Sequence, residues 1–319
     1  MLSRTADHLF WMARYTERAE NTARMLDVNH QSALLPQSAD VAALGWQGLL
    51  SISDLLPAYT ARHGEVAPAK VLDFMAKDPA NPWSIVACLQ AARENARAVR
   101  GALNTEAWEI QNQTWLEVHR LLASGALESD PAHFFEWVKF RSHLSRGATV
   151  GTMLQDEALH FMRLGMFLER ADNTARLLDV KFHAAPSDGW GAATAQDQDH
   201  DYYHWSAVLL SVSGFETYRK VYRDVITPER VAELLILRAD MPRSLHACLQ
   251  EVMGHLGMLD GSPSAETQRH AGQLLAHLKF MRIDEIFTNG LHAYLTQFLE
   301  RVNDLGARIS RDFLVPSAV

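Results

Sequence analysis

The residues best equipped for chemistry sit in one segment that occurs twice. Glu17 to Val28 reads ERAENTARMLDV and Glu169 to Val180 reads ERADNTARLLDV, differing only at Glu20/Asp172 and Met25/Leu177. On a helix, Glu169, Asn173 and Arg176 fall at i, i+4 and i+7 and share a face, with Asp172 beside them. The first copy arranges Glu17, Glu20, Asn21 and Arg24 in the same way. Forked guanidinium groups grip carboxylates and phosphates at two points. Glu17, Arg18, Asn21, Arg24, Asn173 and Arg176 are therefore candidates for binding a substrate or anion. Burial can raise a glutamate into the range useful for proton transfer, which makes Glu169, with Arg170, a candidate for direct catalysis. A structural reading uses the same residues. Glu20–Arg24 and Asp172–Arg176 are acid-before-base pairs at i,i+4, worth about 0.2–0.5 kcal/mol each on an exposed helix. Surface pairs alone would not need Arg18/Arg170 and Asn21/Asn173 identical in both copies, whereas a partly buried network between the copies would.

Two further constellations stand out. Arg93, Arg97 and Arg100 share a helix face within ARENARAVRG, and the corresponding later stretch, EVMGHLG from Glu251, lacks these charges. With no acid along that face, the three suggest an anionic ligand or acidic partner, set against an ordinary solvated face. Glu157 and His160 form a Glu-x-x-His pair, the spacing of carboxylate-bridged di-iron bundles. The first copy has Thr5 and His8 there, so the ligand set is incomplete and no metal centre is expected. Glu157 and His160 remain candidates for acid–base catalysis. The acidic run at Asp197, Asp199 and Asp201 lacks the glycine and distal glutamate of a calcium loop and reads as solvated. There is no glycine-rich phosphate loop and no G-x-S-x-G elbow. Cys88 and Cys248 read as buried structural thiols without a cationic neighbour, and the tryptophans as core.

The elements that must position these groups are helices. Leu164, Leu168, Ala171, Ala175 and Leu178 recur at three- and four-residue steps, and period-two strands are hard to find. Thr227-Pro228-Glu229 has the order of an N-cap, a first-turn proline and a first-turn acid. The pattern predicts helices near 2–33, 40–62, 68–77, 83–102, 105–123 and 132–147, then 151–184, 202–224, 228–239, 243–258, 264–281 and 284–313. A Gly-, Ala- and Asp-rich linker is expected at 185–201. The repeat continues downstream: Pro68 and Val71 match Pro228 and Val231, while Pro82, Ser84, Cys88, Leu89 and Gln90 match Pro242, Ser244, Cys248, Leu249 and Gln250. The expected fold is an all-α, internally duplicated multi-helix bundle. Its pseudo-twofold halves, 1–150 and 151–319, would pack into one body around central ERA helices.

Composition narrows the function classes. The 319 residues are 48% hydrophobic and 21% charged, which excludes wholesale disorder. A net charge of -8 argues against a nucleic-acid binder. Two cysteines exclude a disulfide framework and suit a reducing cytosol. No leader peptide and no apolar run of about 18 residues is evident, so a cytoplasmic protein without membrane attachment is expected.

The chain resembles the bacterial alpha-E family, named for a Glu-Arg motif. The resemblance rests on Leu2-Ser3-Arg4, Trp11, Arg14-Tyr15, Glu17 to Asn21 and Arg24 near the start. It continues through Arg93 to Arg97, Thr105-Glu106, Trp108-Glu109 and Gly147, and closes on Asp156-Glu157, His160-Phe161, Leu164-Gly165 and Phe167 to Asp172. The resemblance implies a companion of circularly permuted ATP-grasp proteins, encoded beside them or fused to them, with transglutaminase-like and proteasome-related peptidases as neighbours. ATP-grasp enzymes activate a carboxylate as an acyl phosphate and pass it to an amine. The implied role is an accessory, substrate-handling subunit of a peptide or amide ligase, with a peptide or amino acid as substrate. The partner would hold ATP and magnesium, and this chain no cofactor of its own. The alternatives are a stand-alone helical enzyme using Glu157, His160 and Glu169, and a purely structural scaffold.

Overall fold

The computed structural model describes residues 1–34, 39–184, 195–259 and 264–314. Among them are sixteen α-helices and no strand. The chain first forms α1 (Ser3–Ala33), α2 (Ala39–Ile52), α3 (Leu56–His63), α4 (Pro68–Ala76), α5 (Ile85–Ala98), α6 (Thr105–Ala123), α7 (Ala126–Ser129) and α8 (Pro131–Thr152). It continues with α9 (Glu157–Ala184), α10 (Ala195–Ser211), α11 (Phe215–Tyr222), α12 (Pro228–Ile236), α13 (Leu245–Gly257), α14 (Ser264–Phe280), α15 (Ile283–Asn289) and α16 (Leu291–Phe313).

Local chemistry sets many of the helix starts. Ser84, Asn104, Asp130, Thr227 and Ser244 each accept a backbone N–H of the first turn through the side chain, a cap worth about 1 kcal/mol. Pro68, Pro131 and Pro228 occupy first helical positions, where the missing N–H costs nothing. Three predicted helices are broken. The one expected over 40–62 stops after Ile52 and resumes at Leu56, with Asp54 left-handed at φ 56°. That over 202–224 breaks between Ser211 and Phe215, with Ser213 at φ 51°. That over 284–313 breaks at Gly290, φ 93°, where glycine takes the left-handed turn without strain. The helix expected over 83–102 ends at Ala98 and tightens into a 3-10 turn at Arg100–Ala102. The predicted linker lies outside the described residues up to 194, and from Ala195 the chain is helical.

The long helices α1 and α9 pack against each other at the centre. Helices α5 and α8 cover α1, and α13 and α16 cover α9. Helix α2 also packs on α9, and α10 on α1. Leu9, Ala23 and Leu26 on α1 and Leu164, Ala175 and Leu178 on α9 are fully buried, each leucine worth about 1.5–3 kcal/mol. Gly165 makes the tight approach possible, because a Cβ there would stand 2.2 Å from the carbonyl oxygen of Phe10. With neighbours on both sides, α1 and α9 bury their polar faces as well as their apolar ones. No helix among the described residues is long and apolar enough to cross a membrane.

Candidate functional site

The polar faces of α1 and α9 meet in a reciprocal exchange. Arg170 donates Nε and Nη2 to Glu17 at 2.8 and 3.0 Å. Arg18 donates Nε and Nη2 to Glu169 at 2.5 and 3.0 Å. Glu17 and Glu169 are 1% and 3% exposed, so neither carboxylate is open to bulk water. Arg14 adds a third bond to Glu169 at 2.8 Å, and Trp83 covers the Arg18 guanidinium at 4.0 Å.

Around each exchange a second set of charges closes in. Glu20 accepts from Arg24 at 2.8 and 2.9 Å, Arg243 at 2.5 Å, Arg146 at 3.0 Å and the Ser142 hydroxyl at 2.6 Å. Arg243 also donates to Glu17 at 3.0 Å and to Asn21 Oδ1 at 2.9 Å, and Arg146 donates to Glu17 at 3.1 Å. On the other side Asp172 accepts from Arg176 at 2.8 Å, and Arg176 reaches Asp54 at 2.6 Å. Arg24 likewise reaches the Ser213 hydroxyl at 2.6 Å. Two of the three positive-φ residues that interrupt predicted helices, Asp54 and Ser213, are thus the ones that meet Arg176 and Arg24.

Burial by itself would raise every one of these acids. In Glu169 the charges of Arg14 and Arg18 outweigh it and leave the carboxyl below its ordinary value. In Glu17, Arg170 and Arg243 do the same against burial and the neighbouring Glu20. Glu20 is held well below the carboxylate range, burial being overcome by His143, Arg243, Arg146 and Arg24. Asp172 goes the other way: burial raises it, Arg176 offsets only part, and the charge of Glu169 adds to the rise.

Paired Glu-Arg dyads on two long helices find their match in comparison with known proteins. Residues 1–314 fit a family described as a predicted alpha-helical domain with a conserved ER motif, Alpha-E. The chain belongs to the Alpha-E family. Uncharacterized proteins of Mycobacterium tuberculosis and Mycobacterium bovis are 24% identical to it over 330 residues. The match covers 94% of this chain and 35% of each relative, so the chain spans about a third of their length. No solved structure matches it significantly.

In this Alpha-E chain the sequence candidates separate into groups. Arg18, Asn21, Asn173 and Arg176 border one narrow cavity with Trp83 and Asp172, and the buried Asn21 amide nitrogen has no hydrogen-bond partner among the described residues. Glu17, Arg24 and Arg170 lie on the opposite side, with Arg146 and Arg243. Glu169 and Arg170 are held in arginine–carboxylate forks, and an ionised, clamped carboxylate is a poor proton donor at neutral pH. Glu157 and His160 do not share a partner. Glu157 pairs with the Met1 amino group, while His160 Nδ1 lies 3.0 Å from His255 Nδ1. Burial, Arg163 and His160 push His255 down to about 4. Among the described residues no three His, Cys, Asp or Glu are grouped to hold a metal ion.

Two sequence readings need correction. The arginine face is compensated after all, because Glu94 accepts from Arg93 at 2.5 Å and Arg97 at 2.8 Å. Arg93 also meets Asn112, and Arg100 lies over Trp108, 5.4 Å from the ring centre. A neighbour one and three positions away on the helix closes the charge that a single-face count leaves open. The cysteines are buried as expected, but each feels a motif arginine, Arg18 for Cys88 and Arg170 for Cys248. Sequence reasoning missed Arg14, Trp83, Ser142, Arg146 and Arg243. One signal was available: Asn81-Pro-Trp-Ser84 aligns with Met241-Pro-Arg-Ser244, and of the two changed positions Trp83/Arg243 is the one between the matched Pro and Ser residues. Arg146 and Ser142 carry no comparable mark.

Proposed function

We propose that this chain is the substrate-handling component of an ATP-grasp-dependent peptide or amide ligase system, acting in a complex with a circularly permuted ATP-grasp protein. The observation that carries this reading is the surplus of guanidinium around Glu17 and Glu20, where Arg24, Arg146, Arg170 and Arg243 face two carboxylates. A region of that kind suits a carboxylate or an acyl phosphate. The sequence has no glycine-rich phosphate loop, so ATP and magnesium are assigned to the companion. In the mycobacterial relatives the matching segment is about a third of a longer chain, which supports a helical body working together with other sequence. Such a system belongs in the cytoplasm, and its acceptor is a peptide or amino acid.

The scaffold reading keeps a place within this one. We take the chain as two copies of a helical half, 1–150 and 151–319, related by a pseudo-twofold axis. Matched contacts support it: Glu17 with Arg170 and Glu169 with Arg18, Arg24 with Ser213 and Arg176 with Asp54. On this view the ER residues are positioning residues. They tie the halves together and set the charge of the site. No comparable observation favours a stand-alone enzyme built on Glu157, His160 and Glu169.

Co-expression with the companion ATP-grasp protein is the test. Co-purification, ATP turnover that depends on both proteins, and a ligated product seen by mass spectrometry are expected. An ATP-grasp protein that neither binds this chain nor changes its ATP turnover in its presence overturns the proposal.

A further inference from the structure

A cleft opens between α1, α6, α8 and α9, with about 410 Å3 of empty space that includes the solvent at its mouth. Arg146 and Arg163 stand on its wall. Arg146 spends Nη1 and Nη2 on Glu17 and Glu20, and among the described residues its Nε meets no acceptor. Arg163 is held by long contacts only, its Nη2 3.4 Å from the half-exposed Glu251 and its Nε 3.5 Å from His255 Nε2, and it stacks on Phe167 at 4.8 Å. Burial lowers the Arg163 pKa; Glu251 works against it, and the charges of Arg170 and Arg146 add to the lowering. Ser145 accepts from Gln111 at 2.9 Å, which leaves its own proton to donate into the cleft. Met12, Met162, Met166 and Val150 supply apolar wall, with Thr16, Ser142 and Thr149 among them.

We propose that this cleft binds a carboxylate carried on an apolar body, the anion between Arg146, Arg163 and Ser145 and the body against the methionines. Net positive charge at a half-buried locus favours an anionic ligand, and the planar guanidinium edge matches a carboxylate. Methionine walls adapt to apolar groups of varied shape and give a bare inorganic anion nothing to pack against. The inference deepens the ligase reading by naming a ligand class, and rests on it only for where the carboxylate comes from.

Calorimetry on the full chain tests it with three probes: N-acetyl-leucine, its uncharged amide, and inorganic phosphate. Saturable binding of N-acetyl-leucine is expected, with the amide about tenfold weaker or worse and phosphate unable to displace it. Arg163→Gln, which removes no contact to Glu17 or Glu20, is expected to weaken N-acetyl-leucine about tenfold while leaving the melting temperature close to wild type. The probe comparison uses wild-type protein, so it stands even where a variant fails to fold. Equal binding of acid and amide, no binding at roughly millimolar concentrations, tighter binding of phosphate, or an unaffected Arg163→Gln protein overturns the cleft assignment. None of these results bears on co-purification with an ATP-grasp protein, so the two proposals fail separately.

Discussion

Glu17 and Arg170 form a two-point fork between α1 and α9, with both side chains buried and bonds of 2.8 and 3.0 Å. Their sequence neighbours Arg18 and Glu169 form the reverse fork, so two adjacent residues on each helix exchange charges with the same two on the other. Removing one member strands a buried charge. Arg170→Ala is expected to cost about 3–5 kcal/mol in urea unfolding, with strong coupling to Glu17→Gln in a double-mutant cycle. Near-wild-type stability with lost function would make the dyad a binding site instead of a tie.

Arg243 should be less costly to lose than Arg170. Its pKa is lowered, first by burial and then by the charges of Arg170 and Arg24 working against Glu17 and Glu20, whereas that of Arg170 is raised by Glu17 against burial. Arg243→Met therefore relieves repulsion as it breaks bonds. Parallel denaturation of the two variants checks the ranking, and a larger loss for Arg243→Met contradicts it.

Two glycine replacements should have opposite signs. Gly165→Ala drives a Cβ to 2.2 Å from the Phe10 carbonyl oxygen, and backbone cannot move aside cheaply. The expected loss is about 1–3 kcal/mol or more. Gly147→Ala, in the interior of α8 with nothing within 4 Å of the new methyl, is expected to gain up to about 1 kcal/mol. Urea midpoints read both.

Acid pH should separate Glu20 from Asp172. The folded pKa of Glu20 lies well below its ordinary 4.5, so its contribution is fully present above that value and is lost as pH falls through the lower one. The folded pKa of Asp172 lies above its ordinary 3.8, so its contribution is present below 3.8 and is lost as pH rises through the higher value. The stability gap between wild type and Glu20→Gln should shrink on acidification, while that for Asp172→Asn should grow. Urea titrations between about pH 3 and 7 decide it.

Cys88 and Cys248 are fully buried, and burial pushes each thiol up to about 12. Iodoacetamide should leave the native chain unmodified at neutral pH and add to both cysteines after unfolding. Rapid native labelling of either thiol, seen as a mass increment, would contradict the burial.

The helical class was plain in the three- and four-residue apolar steps, and capping residues such as Ser84 and Thr227 marked helix starts that the structure keeps. The break at Asp54 was not legible, since nothing in Ser-Asp-Leu demands a turn, while the break at Ser213 had one mark, the Ser213-Gly214 turn dipeptide. They accompany contacts to Arg176 and Arg24 on helices more than a hundred residues away. The arginine face at Arg93 failed as an uncompensated patch for a local reason, the adjacent Glu94.

The sequence by itself determined that this is an all-helical chain, that two ERA segments present like faces, and which residues those faces carry. Helix periodicity is a local property, written in every turn. Only the tertiary structure decided that both polar faces are buried, that each glutamate takes the other helix's arginine, and that Arg146 and Arg243 tip the charge around Glu17 and Glu20. Those outcomes depend on how closely α1 and α9 approach at Gly165 and on which helices cover them. The energy of an ion pair is set by the distance and burial that packing imposes on residues far apart in the chain.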